Sequence, residues 1–466
     1  MEHVHLIGIG GTGLSAIARV LLERGFRVTG SDLNYSPLAE DLDQAGAVVY
    51  TGHRAEQVEG ADIVVRSSAV PDDNVEVQAA LNAGIPVMKR SEFLGRLTRD
   101  DKVIAVAGSH GKTTTTAMLA WVLMELDQDP SFIVGGVVKN LHTNARSGKG
   151  GLFVIEADEY DEMFLGLQPD IAVVTNIEYD HPDYFPTPED FKQAFRDFMG
   201  NVTDHGAMIL CAEDPTAVDL RHEASIDQDV RFYGFYIPDF HYMARNLQPQ
   251  EDGCYHFDFY IGDIGVELIE DVHLGIPGEH NVLNALAALA VVDQLGLSLE
   301  KAIHALAAFQ GSGRRFDIRG EFSGVAIIDD YAHHPTQIKT AIETAKGRYP
   351  EGALWVIWQP HTFSRTKALL DGYSTAFEGA DHVIVTQVYP SREERPPDFS
   401  ISDVVKAIDH PDVRFQATFD EVENELMPAL APKDVVLILS AGDAIELSAH
   451  LSEMLSDKER KRGSQP

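Results

Sequence analysis

The chain has 466 residues, too many for one ordinary hydrophobic core and enough for about three domains. It is 44% hydrophobic and 24% charged, a globular composition, and its two cysteines, Cys211 and Cys254, allow neither a disulfide framework nor a four-thiolate metal site. A net charge of −36 argues against nucleic acid as a partner, so any anionic ligand must be met by local islands of backbone N–H groups, Lys and Arg.

The N-terminus is apolar but has no basic n-region and no small-residue cleavage site, so it reads as a strand and not as a signal peptide. No apolar run approaches the ~18 residues of a membrane span, since Ala285 to Val292 is stopped by Asp293. The expected place is the cytoplasm, without a membrane contact.

Apolar runs ending in loop residues alternate with amphipathic stretches, the pattern of parallel α/β domains. Strand Val4–Ile9 leads through a glycine loop to helix Leu14–Arg24 and strand Arg27–Gly30, with a further strand at Ile63–Ser67. A second start, strand Lys102–Ala107, enters another glycine loop and a helix after Thr113. Strands Leu152–Ile155 and Ile171–Thr175 follow. From about Gly206 to His273 the pieces are short, aromatic and β-rich, such as Tyr255–Ile261, and predict an antiparallel addition.

Gly278–Ala290 reads as loop then helix, and Gly311 to Asp317 as a hinge. Beyond it come strand Val325–Ile328, helix Thr336–Lys346, strand Leu354–Trp358, a helix from Ser364, and strands Val383–Val388 and Val435–Leu439. The charged tail after Asp457 is expected to fray. The predicted fold is α/β with three domains: Rossmann-like over 1–100, a P-loop ATPase-type unit with the antiparallel addition over 101–313, and a second Rossmann-like unit over 314–466.

Gly8-Ile9-Gly10-Gly11-Thr12-Gly13 matches G-x-G-x-x-G between strand and helix, where backbone N–H groups can hold a diphosphate. Asp32 closes the second strand, where an acid can accept from ribose hydroxyls. Alone this fits a UDP-sugar or a dinucleotide equally. The second loop, Gly108-Ser109-His110-Gly111-Lys112-Thr113-Thr114, favours the former, because hydride transfer gives no reason for an ATP site. It has the physics of a P-loop: Lys112 neutralises phosphate oxygens and Thr113 offers a hydroxyl to Mg²⁺. It departs from the standard pattern, since Val106 holds the first glycine position. Glu156, with Asp158, Glu159 and Asp161 behind it, and Asn176, Asp180 and His181 end two further strands, where carboxylate and imidazole suit a second Mg²⁺.

These motifs, with Gly278-Glu279-His280-Asn281, Asn284, Gly313-Arg314-Arg315-Phe316-Asp317, Asp329-Asp330-Tyr331-Ala332-His333-His334-Pro335, Gln359-Pro360-His361-Thr362-Phe363-Ser364-Arg365-Thr366 and Ser440-Ala441-Gly442-Asp443, resemble the Mur ligase family over nearly the whole chain. The resemblance implies that Gly11, Thr12, Gly13 and Leu14 hold a UDP diphosphate, with Asp32, His53 and Ser67 near ribose and uracil. It implies Lys112 and Thr113 on ATP phosphate and Mg²⁺, and Glu156 and His181 on the other metal. Asn281 and Asn284 would read adenine, with helix capping as the plainer role for Asn281. Arg314 or Arg315 would reach a phosphate across the hinge. Asp330, His333, His361 and Arg365 would line the amino-acid and nucleotide sides, with either histidine as the base. Some members have Arg where this chain has Thr362. His334 reads as structural, and His3, His5 and His142 receive no role.

The implied reaction is ATP-dependent ligation of L-alanine to the carboxylate of UDP-N-acetylmuramate through an acyl phosphate, in peptidoglycan precursor synthesis. A third domain closing over the other two would exclude water. The rival within the family attaches a whole L-Ala-γ-D-Glu-meso-diaminopimelate tripeptide. The opening glycine loop and the Pro360 to Arg365 stretch resemble the alanine-adding member more. A sensor that binds nucleotides without turnover is the rival of another class. Intact Lys112, Thr113, Glu156 and His181 speak against it.

Overall fold

The computed structural model describes residues 1–221, 228–235, 241–262 and 266–463. Three sheets organise them. The first has five parallel strands in the order Val48–Thr51, Arg27–Asp32, His3–Ile7, Ile63–Arg66 and Val87–Lys89. His3–Ile7 is buried along its whole length, as a central parallel strand must be. The chain leaves it in one direction to Arg27–Asp32 and later crosses to Ile63–Arg66 on its other side. The glycine loop after Ile7 therefore opens at the topological switch point, where such sheets bind ligands.

The second sheet has ten strands. Lys102–Ala107 lies between Ile171–Val174 and Leu152–Glu156, parallel to both. Ala207–Cys211 and Asp229–Gly234 extend the parallel part instead of starting the antiparallel one. Ala207–Cys211 is buried at every position, which fits an interior parallel strand. The antiparallel addition comes later, as Tyr242–Pro249, Tyr255–Gly262 and Val266–His273. Parts of the expected segment, 222–227, 236–240 and 263–265, lie outside the described residues. At the opposite edge, Ser131–Val138 and Thr143–Arg146 form a hairpin that the sequence reading did not anticipate.

The third sheet has six strands in the order Asp317–Phe322, Val325–Asp330, Val435–Leu439, Leu354–Trp358, His382–Val385 and Val413–Phe415. Only the first pair is antiparallel. Alternate residues of Leu354–Trp358 enter two separate apolar clusters, one on each face. The charged tail is not frayed after Asp457: helix Ile445–Gly463 continues through it, and 464–466 lie outside the described residues.

The first and second units share one apolar core. Leu14, Ile17 and Leu21 of helix Thr12–Glu23, with Phe93 and Leu97 of helix Arg90–Leu97, cluster with Phe153, Phe164, Phe195 and Phe198. Contacts between the second and third units are polar by contrast: Arg365 to Asp180, Gln337 to His110, Thr336 to Glu178 and Lys139 to Asp317. Each buried large apolar side chain is worth about 1.5–3 kcal/mol, more than an ordinary polar contact. The first junction is thus the stronger of the two, and the polar second junction the weaker. No helix among the described residues is long and apolar enough to cross a membrane.

Candidate active site

The P-loop runs between strand Lys102–Ala107 and helix Lys112–Glu125. Gly111 caps the helix in a left-handed conformation (φ 80°) that glycine adopts freely. Asn176 fixes the loop, accepting from Ser109 N through its carbonyl and from His110 N through its side chain, both at 2.9 Å. Lys112 Nζ donates to Gly108 O and lies 2.7 Å from Glu159 Oε2. Burial alone would lower the Lys112 pKa, but the carboxylates of Glu159, Asp158 and Glu156 together raise it. Glu159 escaped the sequence reading as a partner of Lys112. Its only signal was a place three residues after Glu156.

Thr113 Oγ1 donates to Glu156 Oε1 at 2.8 Å, and Gly135 N donates to Glu156 Oε2 at 2.6 Å. A Cβ on residue 135 would come within 2.7 Å of that oxygen, so the backbone approaches because it is glycine. His181 stands nearer Glu159, 3.7 Å from Oε1, and groups with Asp158 and Glu159 as metal-type donors. Glu156 and Thr113 are thus brought together, and His181 faces the neighbouring carboxylates. Hard oxygen donors flanking a P-loop hydroxyl fit Mg²⁺.

A cleft of about 430 Å³ opens beside the loop, lined in part by Gly111, Thr114, Asn281, Asn284, Arg315 and Asp330. Asn284 Oδ1 accepts from Thr115 Oγ1 at 3.1 Å, and Asn284 Nδ2 donates to Asn281 Oδ1. Asn281 does not cap helix His280–Gln294; its amide donates to Pro277 O at 2.7 Å. Across the hinge, Arg315 NH2 donates to Thr113 Oγ1 at 3.2 Å, while Arg314 turns to Ser440 O and Gly442 O. Asp330 accepts from Phe316 N and Ala332 N, and burial raises its pKa against the pull of Arg315.

On the far side of the phosphate end, Asp180 is a buried hub. Arg365 Nε donates to it at 2.6 Å, and His333 Nε2 lies at 3.7 Å. Burial would raise the Asp180 pKa; Arg365 and the histidines hold it well below the usual range. Arg365 also donates to His361 Nδ1 at 2.9 Å and His181 Nδ1 at 3.2 Å. Burial, then Arg365, pushes the His333 imidazole down to about 3, and burial, then His333 and Arg365, lowers His361. Thr362 is a buried N-cap with a left-handed backbone (φ 63°). His334 caps helix Pro335–Arg348 and packs its ring 4.8 Å from that of His110.

In the first sheet, Gly11 caps helix Thr12–Glu23 with no side-chain hydrogen bond, so amides of the first turn remain for a ligand. Thr12 and Gly13 present those amides; the Leu14 side chain is buried in the core. Asp32 Oδ2 accepts from Gly10 N at 2.9 Å, and Ser67 N from the next strand end donates to Ile7 O. His53 Nδ1 contacts Ser31 Oγ at 3.0 Å and Glu76 Oε1 at 3.3 Å. Buried Glu76 also takes His5, which shares Thr29 with His3, so those two histidines have structural partners. Arg90, which opens helix Arg90–Leu97, escaped the sequence reading. Its guanidinium covers Gly13 so closely that a Cβ there would sit 1.6 Å away. Its Nε is buried with no hydrogen-bond partner among the described residues, and its NH2 is 3.8 Å from Asp158.

Three family models match in chain order: Mur ligase family, catalytic domain, over residues 3–102; Mur ligase middle domain over 106–292; and Mur ligase, glutamate ligase domain, over 314–442. The chain is 40% identical to a UDP-N-acetylmuramate–L-alanine ligase of Roseiflexus sp. (strain RS-1), covering 97% of this chain and 99% of that one. The crystal structure of a UDP-N-acetylmuramate–alanine ligase from Thermotoga maritima superposes with a TM-score of 0.80 at 29% identity, covering 100% of both chains. A murein peptide ligase from Psychrobacter arcticus gives 0.72 at 27% identity, covering 98% of this chain and 99% of that one. Two loops at the carboxyl ends of parallel strands, a hinge arginine on the P-loop and family matches along the whole chain agree: this protein belongs to the Mur ligase family.

Proposed function

We propose that the chain joins L-alanine to the carboxylate of UDP-N-acetylmuramate with ATP, in peptidoglycan precursor synthesis in the cytoplasm. Family membership carries ATP dependence, and the names of the 40%-identical relatives carry the substrates. One observation supports it most: Arg365, from the third unit, meets Asp180 and His181 at the strand end that also approaches the Lys112–Glu159 pair. The phosphate end and the amino-acid side thus converge. Functional division near residues 100 and 313 follows the three sheets.

In this reading the UDP diphosphate rests on the amides of Gly11 to Leu14 with Arg90 beside it, and Asp32, His53 and Ser67 lie toward ribose and uracil. ATP lies with phosphates on Gly108 to Thr114 and adenine by Asn281 and Asn284; Asp330 bounds the same cleft. Lys112 exchanges Glu159 for phosphate oxygens, and Arg315 reaches the same end. Thr113 would hold one Mg²⁺, and Glu156 and His181, the last beside Asp158 and Glu159, the other. Those ions would screen the phosphate charges.

Transfer of the γ-phosphoryl group to the substrate carboxylate releases ADP and leaves an acyl phosphate. The alanine amine attacks the carbonyl carbon; the C–N bond forms, the C–O bond breaks, and inorganic phosphate departs. A base must take the ammonium proton. Geometry favours His333: its Nδ1 donates to Tyr331 O at 2.9 Å, so the neutral ring carries its lone pair on Nε2, the atom 3.7 Å from Asp180, whose charge would stabilise the imidazolium. The Nδ1 lone pair of His361 is occupied by Arg365. The polar junction between second and third units lets the third close and exclude water. The test is phosphate release from ATP with UDP-N-acetylmuramate and either alanine or the tripeptide. Turnover with alanine is expected; turnover with the tripeptide alone, or none with either, overturns the reading.

A further inference from the structure

Far from this chemistry in role, the last two strands of the central sheet carry three donors in one place. His256, on Tyr255–Gly262, is the direct cross-strand partner of His273, on Val266–His273. Asp271 stands two residues before His273, and its carboxylate bridges the edges of the two rings: Oδ1 is 3.0 Å from His256 Nδ1, and Oδ2 is 3.1 Å from His273 Nε2. The imidazoles stack with centroids 3.6 Å apart. One ligand atom from each residue falls within 4.8 Å of the others.

The backbone is bent to make this arrangement. The strand pairing slips between Phe257 and Phe259, and opposite the slip Asp271 takes a left-handed conformation (φ 57°), which aspartate adopts only at a cost. Bulges of this kind re-aim a side chain. Here the bulge turns Asp271 onto both histidines, and Asp271 N is held by Asp258 Oδ1 at 3.1 Å. The group is open to solvent, with side-chain exposures of 28%, 71% and 50% for His256, Asp271 and His273.

We propose that His256, Asp271 and His273 bind one divalent transition-metal cation of the Zn²⁺ class, which clips the two strands together. Two neutral imidazoles and a carboxylate suit Zn²⁺, Co²⁺ or Ni²⁺ and not Mg²⁺, which prefers oxygen. With the carboxylate about 3 Å from each imidazole nitrogen and all three donors within 4.8 Å, small side-chain rotations would surround an ion at about 2.0–2.2 Å in a tetrahedral arrangement completed by water. The second strand runs straight into Gly275, Ile276 and Pro277, which line the nucleotide cleft, so the clip stiffens one wall of it.

The test is titration of the full-length protein with Co²⁺ in excess Mg²⁺, read by visible ligand-field absorption. One equivalent of intense, Zn²⁺-displaceable absorption is expected. It should weaken at least about tenfold in apparent affinity in His256→Ala and in His273→Ala, since losing even an outer partner of a ligand costs that much. It should persist in His181→Ala, and His256→Ala should keep normal ligation turnover without Co²⁺, which shows that it folds. No such absorption, absorption surviving both histidine variants, or absorption lost with His181→Ala overturns the proposal.

Discussion

Lys112 and Glu159 form a buried ion pair across the phosphate loop, with Nζ 2.9 Å from Oε1 and 2.7 Å from Oε2 of a carboxylate only 1% exposed. A pair so enclosed ties stability to function, because removing one partner strands a charge. Lys112→Ala should lower turnover at least about 100-fold, the loss of one transition-state charge contact. It should also lower unfolding free energy by about 3–5 kcal/mol. Adding Glu159→Gln should restore most of the stability and none of the activity. Urea unfolding beside phosphate release separates the two effects; a Lys112→Ala protein as stable as the parent would show that buried Glu159 takes up a proton when its partner is lost, and that no stranded charge results.

Arg90 should matter for the nucleotide-sugar and not for ATP. Its guanidinium lies on Gly13, and a charged hydrogen bond is worth about 1.5–3 kcal/mol. Arg90→Ala should therefore weaken UDP-N-acetylmuramate binding about 10–100-fold while leaving ATP affinity unchanged. Calorimetry with each ligand alone decides it, and equal losses for both would point to a general structural role.

The two histidines of the third unit should separate kinetically. His333→Gln should slow C–N bond formation by about 10²–10⁴-fold while acyl phosphate still forms, as seen by carboxylate-dependent ADP release in a single turnover. His361→Gln should preserve the second step better. Because burial and Arg365 hold His333 near 3, it is neutral in the free enzyme from pH 7 down to 5, and no acid limb of kcat/KM in that range should belong to it. An acid limb between pH 5 and 7 that vanishes in His333→Gln would contradict this.

Much of the site was legible because it is local. The strand–glycine loop–helix units at Gly8 and Gly108 depend on neighbours in sequence, and strands Leu354–Trp358 and Val435–Leu439 announce themselves as unbroken apolar runs. The pairings were not legible. Lys112 with Glu159, Arg365 with Asp180 and Arg90 with Gly13 join residues that no helical or strand period relates. The hairpin Ser131–Arg146 was hidden by Gly135 and Gly136, which interrupt alternation where Glu156 approaches the first and Gly313 O and Thr113 approach the second. Of the two hinge arginines, only the fold separates Arg315, on Thr113, from Arg314, on the Ser440–Gly442 carbonyls.

Asp329 gives a pH signature in stability. It is 4% exposed, Oδ1 has no partner among the described residues, and burial pushes its pKa up to about 6 despite the Ser448 hydrogen bond. Between its unfolded value of 3.8 and about 6 the folded state binds the proton more tightly, so stability falls as pH rises through that window. Asp329→Asn should remove the dependence, gaining on the parent with rising pH by up to about 3 kcal/mol. Denaturant unfolding of both proteins from pH 4 to 7 tests it, and parallel curves would show that Asp329 does not titrate there.

Selectivity is limited by what a methyl-sized pocket can do. One methyl is worth about 1–3 kcal/mol, or 10–200-fold in discrimination. Glycine should therefore be a poor but measurable substrate, and serine likewise, since an apolar pocket rejects a hydroxyl only partly. Large side chains should fare worse, because overfilling a closed site strains it where underfilling merely loses contact. The third unit brings His333 and Arg365 to Asp180, and a tripeptide should fail because its extra length must fit beneath a third unit closed on alanine. The measurement is kcat/KM for alanine, glycine, serine, leucine and the tripeptide under one set of conditions. Alanine should lead, with glycine and serine within the stated range and the tripeptide inactive. Equal values for alanine and leucine would show that the pocket stays open during catalysis and that closure does not set specificity.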